Sequence, residues 1–144
     1  MSFFRNARPL LAAKALRKFT PGPPRHLNEA RFPTVDRKAC SLVWKNRNQV
    51  DITLQDRASS MTFPLSLRRD AASFISCFHE GGIISLNSNK EPAKELRVGS
   101  DNGLLYFSMK EGDAVITTGL GQAEAALAST LIQHADRKRI ATSL

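Results

Sequence analysis

The residues of this chain best suited to chemistry are three histidines, two cysteines and a glycine pair, and their spacing limits what each can do. His26, His79 and His134 lack a His-x-x-x-His zinc spacing and a carboxylate-rich neighbourhood. Cys40 and Cys77 stand 37 positions apart with no Cys-x-x-Cys pair, so buried free thiols are expected. Ser66, Ser73 and Ser76 read as helix-cap or helix-face residues, and none sits in a Gly-x-Ser-x-Gly elbow. Gly119-Leu120-Gly121 falls between a strand and a helix, where bare backbone amides can hold an anion. It lacks the further glycine and the Lys-Ser/Thr of a phosphate loop, so turn residues are expected there. These spacings predict a protein that is not an enzyme and carries no metal and no cofactor.

Binding chemistry is better represented. A single strand of nucleic acid is held by rings on which bases stack, each worth roughly 1–3 kcal/mol, and by cations that neutralise phosphates. The candidates on strands and turns are Lys45, Arg47, Arg57, Lys94, Arg97, Tyr106 and Lys110. Trp44 shares strand parity with Leu42 and is expected in the core. Arg68 and Arg69 fall in the first turn of a helix, where the backbone dipole disfavours cations, which hints at a partner although plain surface charge is the commoner reading.

The location of the net charge of +8 matters more than its size. Residues 1–28 hold Arg5, Arg8, Lys14, Arg17, Lys18 and Arg25 and no acid, leaving 15 basic and 13 acidic residues for 29–144. On charge alone, the arm would be the tether to RNA or an anionic surface, and the near-neutral body would dock on protein. Residues 1–19 place Phe4, Leu11, Ala15 and Phe19 along one helical face, with Arg8, Lys14, Arg17 and Lys18 mostly off it. Such an amphipathic, Arg-rich, acid-free segment predicts mitochondrial targeting, to the matrix or the matrix side of the inner membrane. No apolar run reaches the roughly 18–20 residues of a membrane span, so any membrane contact would be peripheral, through the arm. Residues 20–38 contain Pro21, Pro23, Pro24 and Pro33 with no sustained period, predicting a linker.

One domain over 39–144 is expected to position these groups. Alternation predicts three strands, near 40–45, 50–55 and 61–65, before a helix near 67–79 capped by Ser66 and ended by Gly81-Gly82. Its predicted packing face is Leu67, Ala71, Phe74, Ile75 and Phe78. Four more strands follow, near 83–86, 95–98, 104–109 and 114–118, with a turn at Ser100-Asp101-Asn102-Gly103. A helix near 122–136 closes the domain, with Ala123, Leu127, Thr130, Leu131 and Ala135 as its predicted face. The fold class is α+β: antiparallel sheets covered by two helices, in two similar halves.

That order, with Ser60-Met61-Thr62-Phe63-Pro64-Leu65-Ser66 leading into the first helix, resembles the Whirly-type fold of plant Whirly proteins and kinetoplastid mitochondrial guide-RNA-binding proteins over about residues 40–138. The resemblance implies two antiparallel sheets, helices that make oligomer contacts, and single-stranded nucleic acid along sheet surfaces. The chain departs from it in showing three clear strands in its first half and in lacking the Lys-Gly-Lys-Ala-Ala-Leu motif of the plant members. Two functional classes follow. The first is a non-enzymatic accessory subunit of a large mitochondrial assembly (a ribosome, another ribonucleoprotein, or a respiratory-chain or ATP synthase complex), with protein subunits as partners and RNA as a further one. The alternative is a free-standing mitochondrial single-stranded RNA- or DNA-binding protein.

Overall fold

The computed structural model describes residues 28–88 and 92–143. The arm with Arg5, Arg8, Lys14, Arg17 and Lys18, and the linker up to residue 27, lie outside the described residues. Among the described residues, eight strands and two helices run in the order β1 (Glu29–Pro33), β2 (Ala39–Asn46), β3 (Gln49–Gln55), β4 (Ser60–Ser66), α1 (Leu67–Glu80), β5 (Gly82–Asn87), β6 (Glu95–Asp101), β7 (Leu104–Glu111), β8 (Ala114–Leu120) and α2 (Gln122–Ser143). Each half is a four-stranded antiparallel meander followed by a helix, with sheet orders β1-β2-β3-β4 and β5-β6-β7-β8.

Local chemistry explains the turns and ends that produce this order. Asn102 and Gly103 both have positive φ, 52° and 83°, the pairing that a two-residue hairpin turn between right-twisted strands requires. The Ser66 hydroxyl accepts a hydrogen bond from the Arg69 amide at 3.3 Å and so caps α1. Gly81, at φ 82°, stops that helix and donates its N–H to the Cys77 carbonyl. Along each strand alternate side chains point inward. Cys40, Leu42, Val50, Ile52, Leu54, Phe63 and Leu65 of the first sheet and Leu96, Val98, Leu105, Phe107 and Met109 of the second are all at most 1% exposed. Helix α1 packs beneath the second sheet, its Phe74 ring stacked on Phe107 with centroids 6.5 Å apart.

Three expectations need correction. Strand β1 lies inside the segment read as a linker, so the domain begins by Glu29 and not at 39, and four strands precede α1. Ala30 and Phe32, 4% and 1% exposed, insert beside Leu42 and Cys40. Two apolar positions are too few to show a period, and Pro33 is tolerated because β1 is an edge strand. Helix α2 extends to Ser143 and buries Ala125, Ala128, Ser129, Ile132 and Ala135, a face shifted from the predicted one. Close helix approach selects its small side chains, while Leu127 and Leu131 flank the contact half-buried. On α1, Cys77 and Asp70 are buried, whereas Ile75 and Phe78 are only partly so.

The halves are clasped by the β1–β2 connection lying on the edge of β8. The Val35 amide donates to the Gly119 carbonyl at 2.9 Å, and the Lys38 ammonium to the Thr117 carbonyl at 2.7 Å. The Asp36 carboxylate accepts from the Thr118 and Thr34 hydroxyls and pairs with Lys38 at 3.2 Å. The Thr118 hydrogen bond is the largest influence holding the Asp36 carboxyl down at about 2. This clasp satisfies part of an otherwise open sheet edge. No helix among the described residues is long and apolar enough to cross a membrane.

Candidate nucleic-acid interface

Strand register lays out the outer face of the second sheet as a grid. One row across β5 to β8 is Ile83, Gly99, Tyr106, Gly119, the next is Ser85, Arg97, Ser108, Thr117, and the third is Asn87, Glu95, Lys110, Val115. Arg97, Tyr106 and Lys110, three of the predicted contacts, therefore share one face. Tyr106 is 44% exposed and Ile83 78%. The tyrosine ring leans over Gly119, where an added Cβ would stand 3.1 Å from Cδ1 and 3.3 Å from the Leu105 carbonyl. On the ring's other side Gly99 leaves bare floor, bounded by Ile83. The result is a hollow of about 400 Å³ lined by Ile83, Gly99, Tyr106, Arg97 and Ser108 among others.

Electrostatics on this face are mixed. Glu95 accepts from the Ser85 hydroxyl at 2.7 Å and sits 3.6 Å from Arg97, and the serine hydrogen bond, with Arg97 and Lys110 nearby, lowers its carboxyl below the usual range. Arg97 nonetheless leaves 64% of its side chain exposed. The matching face of the first sheet has no ring: its central row is Arg31, Ser41, Thr53 and Thr62, the last two joined by a 2.8 Å hydroxyl pair. Its Phe32 and Phe63 point into the core.

The remaining predicted cations divide. Lys94 is taken up structurally: its ammonium donates to the Thr62 carbonyl at 2.6 Å and lies 3.7 Å from Glu111. Arg57 stands exposed on the β3–β4 turn, which Asp56 ties by accepting from the Ala58 and Ser59 amides. Lys45 and Arg47 border a groove at the other side of the molecule's first sheet, together with Trp44. Trp44 packs against the core but is only partly buried, short of the core placement expected for it. Of the two helical arginines, Arg69 forms a two-point pair with the buried Asp70 at 3.1 Å and also donates to the Asn87 carbonyl. Arg68 opens into a hollow with Arg47 and Arg139.

Both cysteines lie inside the fold. Cys40 is fully buried and desolvation pushes its thiol up to about 12, while Cys77, 4% exposed, is raised by the same cause. Among the described residues no group of three or more His, Cys, Asp or Glu could hold a metal ion. Gly119 is not the turn residue expected from its place before a helix: it lies within β8, paired with Tyr106, and its carbonyl accepts from the clasp. No protein-family model, no curated protein and no solved structure matches this chain.

Proposed function

We propose that this chain binds single-stranded nucleic acid on the outer face of its second sheet, with bases received beside Tyr106 and phosphates met by Arg97 and Lys110. The observation carrying this reading is the exposed Tyr106 ring set between two glycines, with bare floor on the Gly99 side. A glycine on each neighbouring strand removes the side chains that would otherwise crowd a ring, giving a planar group access to a π-face. The cations one and two rows away on the same face lie where a strand crossing the sheet would place its backbone. The Whirly-type resemblance of the sequence implies the same kind of ligand on a sheet surface. Arg57 and Lys94 are left out of this surface.

The test is fluorescence anisotropy of the full chain with labelled single-stranded RNA and DNA. Tyr106→Ala is expected to weaken binding by about fivefold to 150-fold, the value of one stacked base. Unchanged affinity in that variant, with the fold intact by circular dichroism, would remove the assignment. A second reading, an accessory subunit held in a mitochondrial assembly by protein contacts, is favoured by Ile83, an apolar side chain 78% exposed on the edge strand β5. Sedimentation of mitochondrial lysate with and without ribonuclease separates the two: an assembly that survives ribonuclease and needs Ile83 supports protein docking.

A further inference from the structure

The groove bordered by Lys45 and Arg47 shares no residue with the outer face of the second sheet. It measures about 470 Å³, and its apolar surface comes from Trp44 of β2, Leu67 of α1, and Leu131 and Ala135 of α2. Lys45 and Arg47 rim it from the strand end and turn, and Lys138 and Arg139 from the helix. An adjoining hollow of about 400 Å³ shares Arg47 and Arg139 with it and adds Arg68 from the first turn of α1. Among the described residues no carboxylate lines either space. Arg139 is bound to Asp136 at 3.0 Å, but Lys45, Arg47, Arg68 and Lys138 have no ion-pair partner among the described residues.

We infer that this groove is a nucleotide site, taking the base of a nucleoside phosphate against Trp44 and its phosphates among Lys45, Arg47, Arg68 and Lys138. Four like charges brought near one another from β2, its turn and two helices repel one another, and a multivalent anion relieves that repulsion in a way a single carboxylate does not. The partly exposed indole beside them supplies the apolar, π-bearing wall that a base requires and a bare polyphosphate does not use. Residues 1–27 carry cations and no acidic side chain, so they supply no counter-charge to these cations. The inference stands independently of strand binding at Tyr106, and the nucleotide's source, free in solution or the phosphorylated end of a strand, is open to direct test.

Trp44 is the sole tryptophan, so its fluorescence reports occupancy of this groove in the full chain. Titration with uridine triphosphate is expected to give a saturable change, with tripolyphosphate at least tenfold weaker. The double variant Arg68→Ala/Lys138→Ala, whose side chains are exposed and whose fold is checked by circular dichroism, should lose tenfold or more in affinity, while Tyr106→Ala should not. Competition by a 5′-phosphorylated oligonucleotide but not by its 5′-hydroxyl counterpart supports the site with a strand end as the source. Competition by neither supports it with the free nucleotide as the source. The inference is overturned by absence of a saturable change, by tripolyphosphate binding as tightly as the triphosphate, by insensitivity to the double variant, or by equal competition from both oligonucleotides, which would make the groove a track for strand backbone.

Discussion

Gly119 and Tyr106 show how a single missing side chain can shape a surface. A Cβ at Gly119 would meet both the flexible edge of the tyrosine ring, at 3.1 Å, and the fixed Leu105 carbonyl, at 3.3 Å. Gly119→Val is therefore expected to displace the ring and destabilise the protein by about 1–3 kcal/mol, as overpacking does, and thermal denaturation with oligonucleotide binding would measure both effects. Gly99→Ala meets only ordinary contacts, 3.6 Å to Ile83 and 3.9 Å to Tyr106, so it should keep stability while narrowing the floor and reducing affinity. Comparable melting curves with undiminished binding in Gly99→Ala would place the base elsewhere. Asp36 offers a pH test. Its carboxyl is held at about 2, below the ordinary 3.8, so its contribution is complete above the ordinary value and fades as pH falls through about 2. With 41% of its side chain exposed, solvent screening limits that contribution to below about 1 kcal/mol. The melting temperature gap between wild type and Asp36→Asn should thus be present at pH 6 and nearly closed at pH 2.

At the level of elements, α1 is the member whose loss should be felt most, because it belongs by chain to the first half yet packs beneath the second sheet. Phe74 is fully buried against Phe107, and Phe74→Ala is expected to cost about 3–5 kcal/mol in denaturant unfolding. A cost near that of an exposed-site substitution would contradict this packing. The elements also show what periodicity can and cannot reveal. Seven strands and both ends of α1 were legible because long alternating runs, Ser66 and Gly81 write their structure locally. Strand β1 was not, since two inward residues beside a proline-rich stretch carry too little pattern. Nor was the packing face of α2, where alanines rather than leucines make the closest approach. The candidate surfaces were legible only in part. Sequence type singled out Arg97, Tyr106 and Lys110, but only the register of β6 on β7 puts them on one face, and no spacing in the sequence brings Lys45, Arg47, Arg68 and Lys138 near one another from β2, its turn and two helices.

For the whole molecule, the small excess of positive charge on residues 29–144 conceals an uneven layout. Ion pairs engage Lys38, Arg69, Lys94, Arg97 and Arg139, whereas Lys45, Arg47 and Lys138 line one groove and Arg68 the hollow adjoining it. The charge count alone assigned anion binding to the N-terminal arm and protein docking to the body. The layout argues instead that residues 28–144, cut ahead of β1, retain Tyr106-dependent strand binding, with the full chain showing a steeper salt dependence. Each phosphate contacted should add roughly −0.7 to the slope of log affinity against log salt, and a body with no salt-dependent binding would return the role to the arm. The topology carries a kinetic consequence as well. Every strand hydrogen-bonds only to its neighbour along the chain, through six antiparallel pairings. Little loop-closure entropy separates the unfolded chain from either meander, so each can zip from its own hairpins before α1 and α2 join them. Refolding followed by stopped-flow fluorescence of Trp44 should then finish on the order of milliseconds or faster, ahead of sheet proteins whose strands must find distant partners.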